Sequence, residues 1–221
     1  EPNLTGIGGL HMSPTSMEVL ADIMVPAMMV QDSTIRLQLS EDIRDLLLQD
    51  LLEHLDAIGR PEGQIVLVDP KYSIDGPDEM QALMDYYKQR YGITVLHADV
   101  TELILRGEEV YYGDARVDLV YRDAAVLDLV ELASEGVDVA PMRALLKQNR
   151  VVSSIAAELD QKSCFEIFTD PLLADRFLTE AEQLVMRRHV LWTRILSDRR
   201  SSAPDGSSED LLEYARKNRE S

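Results

Sequence analysis

Hydrophobic positions change their period along this chain. Between residues 15 and 58 they recur at helical spacing: Met17, Leu20, Ala21 and Met24, then Met28 and Met29 past Pro26, and later Leu47, Leu51, Leu55 and Ile58. Thr15 and Glu18 fit a capping box and Pro14 lies close to a first-turn position, so the first run predicts a helix that bends or ends at Pro26. Ser40 ahead of Glu41 and Asp42 starts a second helix, and Gly59 with Pro61 stops it.

From residue 61 the pattern shortens. Ile65-Val66-Leu67-Val68, Ile93-Thr94-Val95-Leu96, the run from Val117 to Tyr121, and Val151-Val152 are brief apolar stretches of the kind that buried parallel strands show. Helical stretches separate them at about 78–91, 124–135 and 140–148, and another helix is expected from Asp160. Residues 102–112 read as a hairpin turning at Arg106-Gly107-Glu108. The alternation predicts an α/β fold with a mostly parallel sheet covered on both faces and N-terminal helices packed against it. Three parts follow: 1–60 as a glycine-rich loop and helical segment, 61–170 as the α/β domain, and 171–221 as a helical connector. Within the last, Ser201 to Ser208 reads as a flexible loop ahead of a short helix over 210–218.

Composition narrows the partners. The 221 residues suffice for a substantial core, and 40 acidic against 22 basic residues give a formal charge of −18. That balance argues against nucleic acid, which needs clustered Lys and Arg, and against anionic membrane surfaces. No apolar run approaches the roughly 18 residues of a membrane span, and residue 1 opens no signal peptide. The single cysteine, Cys164, suits a reducing, cytoplasmic setting. The four histidines have no zinc-ligand spacing, and Cys164 reads as a small core residue.

Glu1 and Asn3 stand two residues apart, so on a strand their side chains would point the same way. A carboxylate and an amide oxygen are hard ligands suited to Mg²⁺ on nucleotide phosphates; the plain alternative is a chance polar pair. Arg122 and Asp123 sit just past a buried strand, where open α/β sheets bind ligands. There a guanidinium can grip a carboxylate bidentately, or it can simply pair with Asp123 or Asp128. Gly8 and Gly9 promise a tight loop whose backbone can approach a ligand.

The order of Glu1-x-Asn3, Gly8-Gly9, Val120-Tyr121-Arg122-Asp123 and Lys162 with nearby Phe165 resembles the circularly permuted ATP-grasp family, as in eukaryotic-type glutathione synthetases and bacterial glutathionylspermidine synthase-like proteins. The run Arg187 to Arg194, then Asp210-Leu211-Leu212, is similar to what bacterial members carry before their phosphate-binding section. The resemblance implies a Rossmann-like, pre-ATP-grasp sheet and a carboxylate–amine ligase. ATP would form an acylphosphate that an amine then attacks, with small-molecule carboxylate and amine substrates. It assigns the metal, Mg²⁺, to Glu1 and Asn3, ATP phosphate to Lys162, the substrate carboxylate to Arg122, and substrate contact to the loop of Thr5, Gly8 and Gly9. Thr5 stands where relatives place a serine-bearing loop. Lys162 also reads as an ordinary helix lysine among Glu158, Asp160 and Glu166.

The family's Leu-Lys-Pro strand and glycine-rich phosphate loop do not occur in these 221 residues, so the expectation is part of a ligase, inactive alone, with no cofactor of its own. Two other readings stay open. The chain could be a non-catalytic binding module, for which the methionine-rich first helix offers an interaction face. It could also be a nucleotide-binding Rossmann domain, although Asp69 to Gly76 after the first strand has no glycine fingerprint.

Overall fold

The structure is a computed structural model that describes residues 8–36, 38, 41–72, 78–155 and 161–219. Glu1, Asn3 and Thr5 lie outside the described residues, as do Ser40 and Asp160. The chain divides within 156–160 into two compact units, each described by itself.

The larger unit is α/β. Its four-stranded sheet is wholly parallel, with strands β1 (Ile65–Val68), β2 (Leu96–Ala98), β6 (Leu119–Arg122) and β7 (Val151–Val152) in the order β2-β1-β6-β7. The registers Val66 with Leu96, Val68 with Arg122 and Val120 with Val151 align the strand ends. All four residues of β1 and of β6 are buried, because helices cover both faces. Alternate side chains serve different cores. Val66, Val68 and Val120 pack with Leu129 of α5 (Val126–Ser134) and with Met142 and Leu145 of α6 (Ala140–Lys147). Ile65, Leu67, Leu119 and Tyr121 pack with Leu47, Leu51 and Leu55 of α3 (Ile43–Ala57) and with Leu83 and Tyr87 of α4 (Glu79–Tyr91). Helix α3, from the 1–60 segment, thus shares a core with the sheet.

Caps fix where these helices run. The Asp42 carboxylate accepts from Arg44 N to begin α3, and Asp78 accepts from Gln81 N to begin α4. Gly92 ends α4 in the left-handed conformation, φ +70°. Between β2 and β6 lies an antiparallel insertion, β3 (Leu103–Arg106), β4 (Glu109–Tyr112) and β5 (Ala115–Arg116); its first two strands are the expected hairpin.

Four expectations need correction. The second strand begins at Leu96, because β1 offers partners only to 96–98 while Gly92 to Val95 carry the chain away from α4. Thr15 is no cap: it lies inside α1 (Met12–Val19), and its hydroxyl donates to His11 O. Of the two alternatives at Pro26, a bend or an end, the end is overturned, because the helical run continues to Gln31. A π turn at Leu20–Met24 joins α1 to α2 (Val25–Gln31), and the wider turn relieves the backbone ahead of the proline. The fourth concerns the smaller unit, where 201–208 is an ordered hairpin.

That unit carries a short 3₁₀ turn (Lys162–Cys164), α7 (Phe165–Thr169), α8 (Pro171–Phe177), α9 (Glu180–His189), the hairpin of β8 (Arg200–Ser202) and β9 (Ser208–Asp210), and α10 (Leu211–Lys217). The Arg194 guanidinium organises it. Its side chain is only 2% exposed and donates to Thr169 O and Oγ1, Ser201 Oγ, Ser202 Oγ and Thr193 O. Trp192 Nε1 donates to Ser202 O, which explains order in a segment with no apolar period.

Candidate functional site at the C-terminal edge of the sheet

Chain order reverses between β1 and β6, since β1 leads outward to β2 and the chain returns on its other side. In open α/β sheets the crevice at such a point, beyond the carboxyl ends of the strands, is where ligands bind. The first residues past the two strands are Asp69 and Asp123, held side by side as Asp123 N donates to Val68 O at 2.8 Å. Asp69 is 1% exposed. Its Oδ1 lies 2.7 Å from Nε2 of His97, a residue of β2. Asp123 is half-buried. Burial pushes its proton affinity up, the charges of Asp69 and Glu79 push further, and Arg122 pulls only partly back, leaving a carboxyl that titrates at about 6.

Arg122 ends β6 with no exposed surface. Its Nε donates to Ser153 O at 3.2 Å, Nη1 to Ala124 O at 2.5 Å and Nη2 to Ser154 O at 3.5 Å. The guanidinium thereby ties the segments that follow β6 and β7. Asp128 instead caps α5, accepting from Ala125 N at 2.9 Å. Ser153 Oγ is buried with no hydrogen-bond partner among the described residues.

Glu79 opens α4 and reaches the glycine loop. One carboxylate oxygen accepts from Gly9 N at 3.1 Å; the other accepts from His11 N at 3.0 Å and Met12 N at 2.9 Å. Gly9 has φ +77°, a left-handed conformation that favours glycine, and a Cβ there would stand 2.8 Å from Ser13 Oγ, which would have to turn away. Gly8 is exposed with open space around it. Through Glu79, Gly9 is joined to the edge that bears Asp123 and Arg122.

Lys162 lies in the smaller unit, exposed on the 3₁₀ turn. Glu166 beside it is buried, with Oε2 accepting from Ile195 N and Oε1 paired with Arg199. Cys164 is half-buried. Among the described residues no group of three His, Cys, Asp or Glu side chains is placed to hold a metal ion. No described helix is long and apolar enough to cross a membrane.

The sequence reading passed over Asp69, His97 and Glu79. A signal for Asp69 was present: Val68-Asp69 and Arg122-Asp123 both put an aspartate directly after a buried strand. His97 carried none, because its partner lies on another strand. Compared with known protein-family models and with curated proteins, the chain matches none.

Proposed function

We propose that this chain is the substrate-side portion of an ATP-dependent carboxylate–amine ligase, with a Rossmann-like sheet of pre-ATP-grasp type. The observation that carries the reading is the make-up of one edge. A buried arginine and two aspartates stand where the strand order reverses, and Glu79 links the Gly8–Gly9 loop to the same edge. Two of the motifs on which the resemblance rests, the glycine loop and Arg122-Asp123, thus stand at one edge, which supports the reading.

In this reading Arg122, buried and bonded to carbonyls, acts as a fixed positive charge that attracts the substrate carboxylate, while Gly8 and Gly9 line its approach and the resemblance adds Thr5 to the same contact. An amine arrives protonated and must lose a proton before it can attack. Asp123, titrating at about 6, holds or releases a proton at its carboxylate near neutral pH. Glu1 and Asn3 would hold Mg²⁺ and Lys162 would meet ATP phosphate; bound Mg-ATP supplies the activating phosphoryl group.

The test is ATP hydrolysis by the protein encoded around this segment, screened against pooled carboxylates with and without amines. Turnover that requires both substrates supports the ligase. Turnover indifferent to them, or none, favours the second reading, a binding module. One observation speaks for that alternative: the helix over 12–31 exposes Ile23, Met24, Met28 and Met29.

A further inference from the structure

We propose that the continuous helix over 12–31 is a lid, hinged at Gly9 and latched by Glu79, standing at the ligand-binding edge of the sheet. At 1.5 Å per residue its twenty residues make a rod about 30 Å long. It buries none of them. Ile23 is 65% exposed and Val30 87%, with Val19, Leu20, Met24, Met28 and Met29 between 37% and 49%. Helix α3, of similar apolar content, buries five side chains. A helix with apolar residues around its circumference is normally enclosed. This one is held by its base.

The base is well defined. Leu10 is 3% exposed and belongs to the core that α3 and α4 share with the sheet. Immediately after it, Glu79 caps the helix with three backbone hydrogen bonds, from Gly9, His11 and Met12. His11 has no side-chain cap of its own to offer, so a carboxylate nearly seventy residues away serves instead. The same carboxylate lies in the first turn of α4, so it answers the positive ends of two helices at once. Beyond this base, among the described residues, the ion pair that ties the helix sideways is Glu18 with Arg44 at 2.9 Å, and the Glu18 side chain is 62% exposed.

A rod anchored at one end, with an apolar body and one weak lateral tie, can swing as a unit. Its fixed end is bonded to Glu79, whose charge adds to burial and to Asp69 in acting on Asp123. Closing it over that edge would put methionine and isoleucine side chains against a bound ligand and expel water. Methionines, unbranched and polarisable, adapt to whatever surface they meet.

The test needs no ligand, so it can fail independently of the ligase reading. Amide hydrogen exchange is followed by mass spectrometry on the 221-residue chain, beside the variants Glu79→Gln, Glu18→Gln and Ile23→Asp. Peptides over 13–31 should exchange together and well ahead of α3. Glu79→Gln, which keeps the shape but loses the charge, should speed them by about tenfold while α3 is unchanged. Glu18→Gln should have a smaller effect, within about threefold. Ile23→Asp should leave the thermal midpoint of the body unmoved. The lid is overturned if 13–31 is protected as strongly as α3, if Glu79→Gln accelerates exchange throughout the body, or if Ile23→Asp lowers the midpoint as a core substitution would.

Discussion

The two edges of the parallel sheet are built from the same residue types toward opposite electrostatic ends. At the N-terminal edge, Asp118 precedes β6 and accepts from Arg60 at 2.5 Å, Arg116 at 2.9 Å and Gln64 N at 2.9 Å. Arg60 and Arg150 both reach Glu109 at 2.8 Å, and Arg150 is also bonded to the carbonyls of Val117 and Asp118. Gly63 lets the chain pass this cluster, since a Cβ there would stand 2.6 Å from Asp118 Cβ. At the C-terminal edge, the charges of Asp69 and Glu79 both bear on the half-buried Asp123, while Arg122 is bonded to the carbonyls of Ala124, Ser153 and Ser154. The first edge satisfies its charges and holds the fold. The second keeps like charges together at a cost, and such strain concentrates where ligands bind.

The edges therefore answer pH in opposite senses. Arg60, and then Arg150 against the opposing effect of burial, hold Glu109 at about 2, well below the usual 4.5. Burial would raise Asp118, but Gln64 N–H, Arg60 and Arg116 overcome it and keep it low. The stability both contribute is present above their usual carboxylate range and is lost as pH falls through their folded values.

The largest expected effect comes from breaking the satisfied edge. Asp118→Ala strips Arg60 and Arg116 of a shared partner and leaves Gln64 N unpaired beside a gap. Removing one member of a buried network costs about 3–5 kcal/mol, and with Arg60 25% and Arg116 50% exposed to water the expected loss lies at the lower end, about 3 kcal/mol. Urea unfolding at pH 7 checks this, and a loss under about 1 kcal/mol would mean that the first edge is as loosely held as the second.

Arg122→Lys tests whether the buried arginine belongs to the structural class or the ligand class. Lysine keeps the charge but cannot span the carbonyls of Ala124, Ser153 and Ser154. The expected stability loss is about 1.5–3 kcal/mol. In the proposed ligase, a comparable loss of transition-state binding is roughly tenfold to a hundredfold in turnover. Kinetics at saturating nucleotide with varied carboxylate separate the two roles. An unfolding shift with unchanged carboxylate dependence makes Arg122 a tie between strand ends and nothing more.

How far the sequence carried these edges depends on the signal each element emits. Ile65–Val68 was legible because four consecutive apolar residues buried on both faces have few other uses. Strand β2 was misplaced by three residues because the apolar letters Ile93 and Val95 outweigh His97, a polar strand residue whose place comes from pairing with Leu67. The hairpin around 201–208 was invisible: its order comes from Trp192 and Arg194, not from its own composition. Arg122 was found by its position at the end of a buried apolar run, and it proves to be the last residue of β6. Its burial was not, since the carbonyls that surround it come partly from a loop some thirty residues away.

The smallest expected effect is also the most discriminating. Asp123 carries a folded value of about 6 against the usual 3.8, because burial and then the charges of Asp69 and Glu79 disfavour its ionised form. The folded state thus binds more protons than the unfolded state between these values, and stability falls as pH rises from about 4 to about 6. Asp123→Asn abolishes that titration while keeping the side chain's size. After allowance for solvent screening of a half-exposed group, the variant should be about 1 kcal/mol more stable than the parent at pH 7, and nearly equal to it at pH 4. Unfolding midpoints measured across pH 4–7.5 give the comparison directly. A variant that is less stable at pH 7, or whose advantage persists unchanged to pH 4, would show that the C-terminal edge is not strained by its carboxylates, and its claim to be the working edge would fall with that.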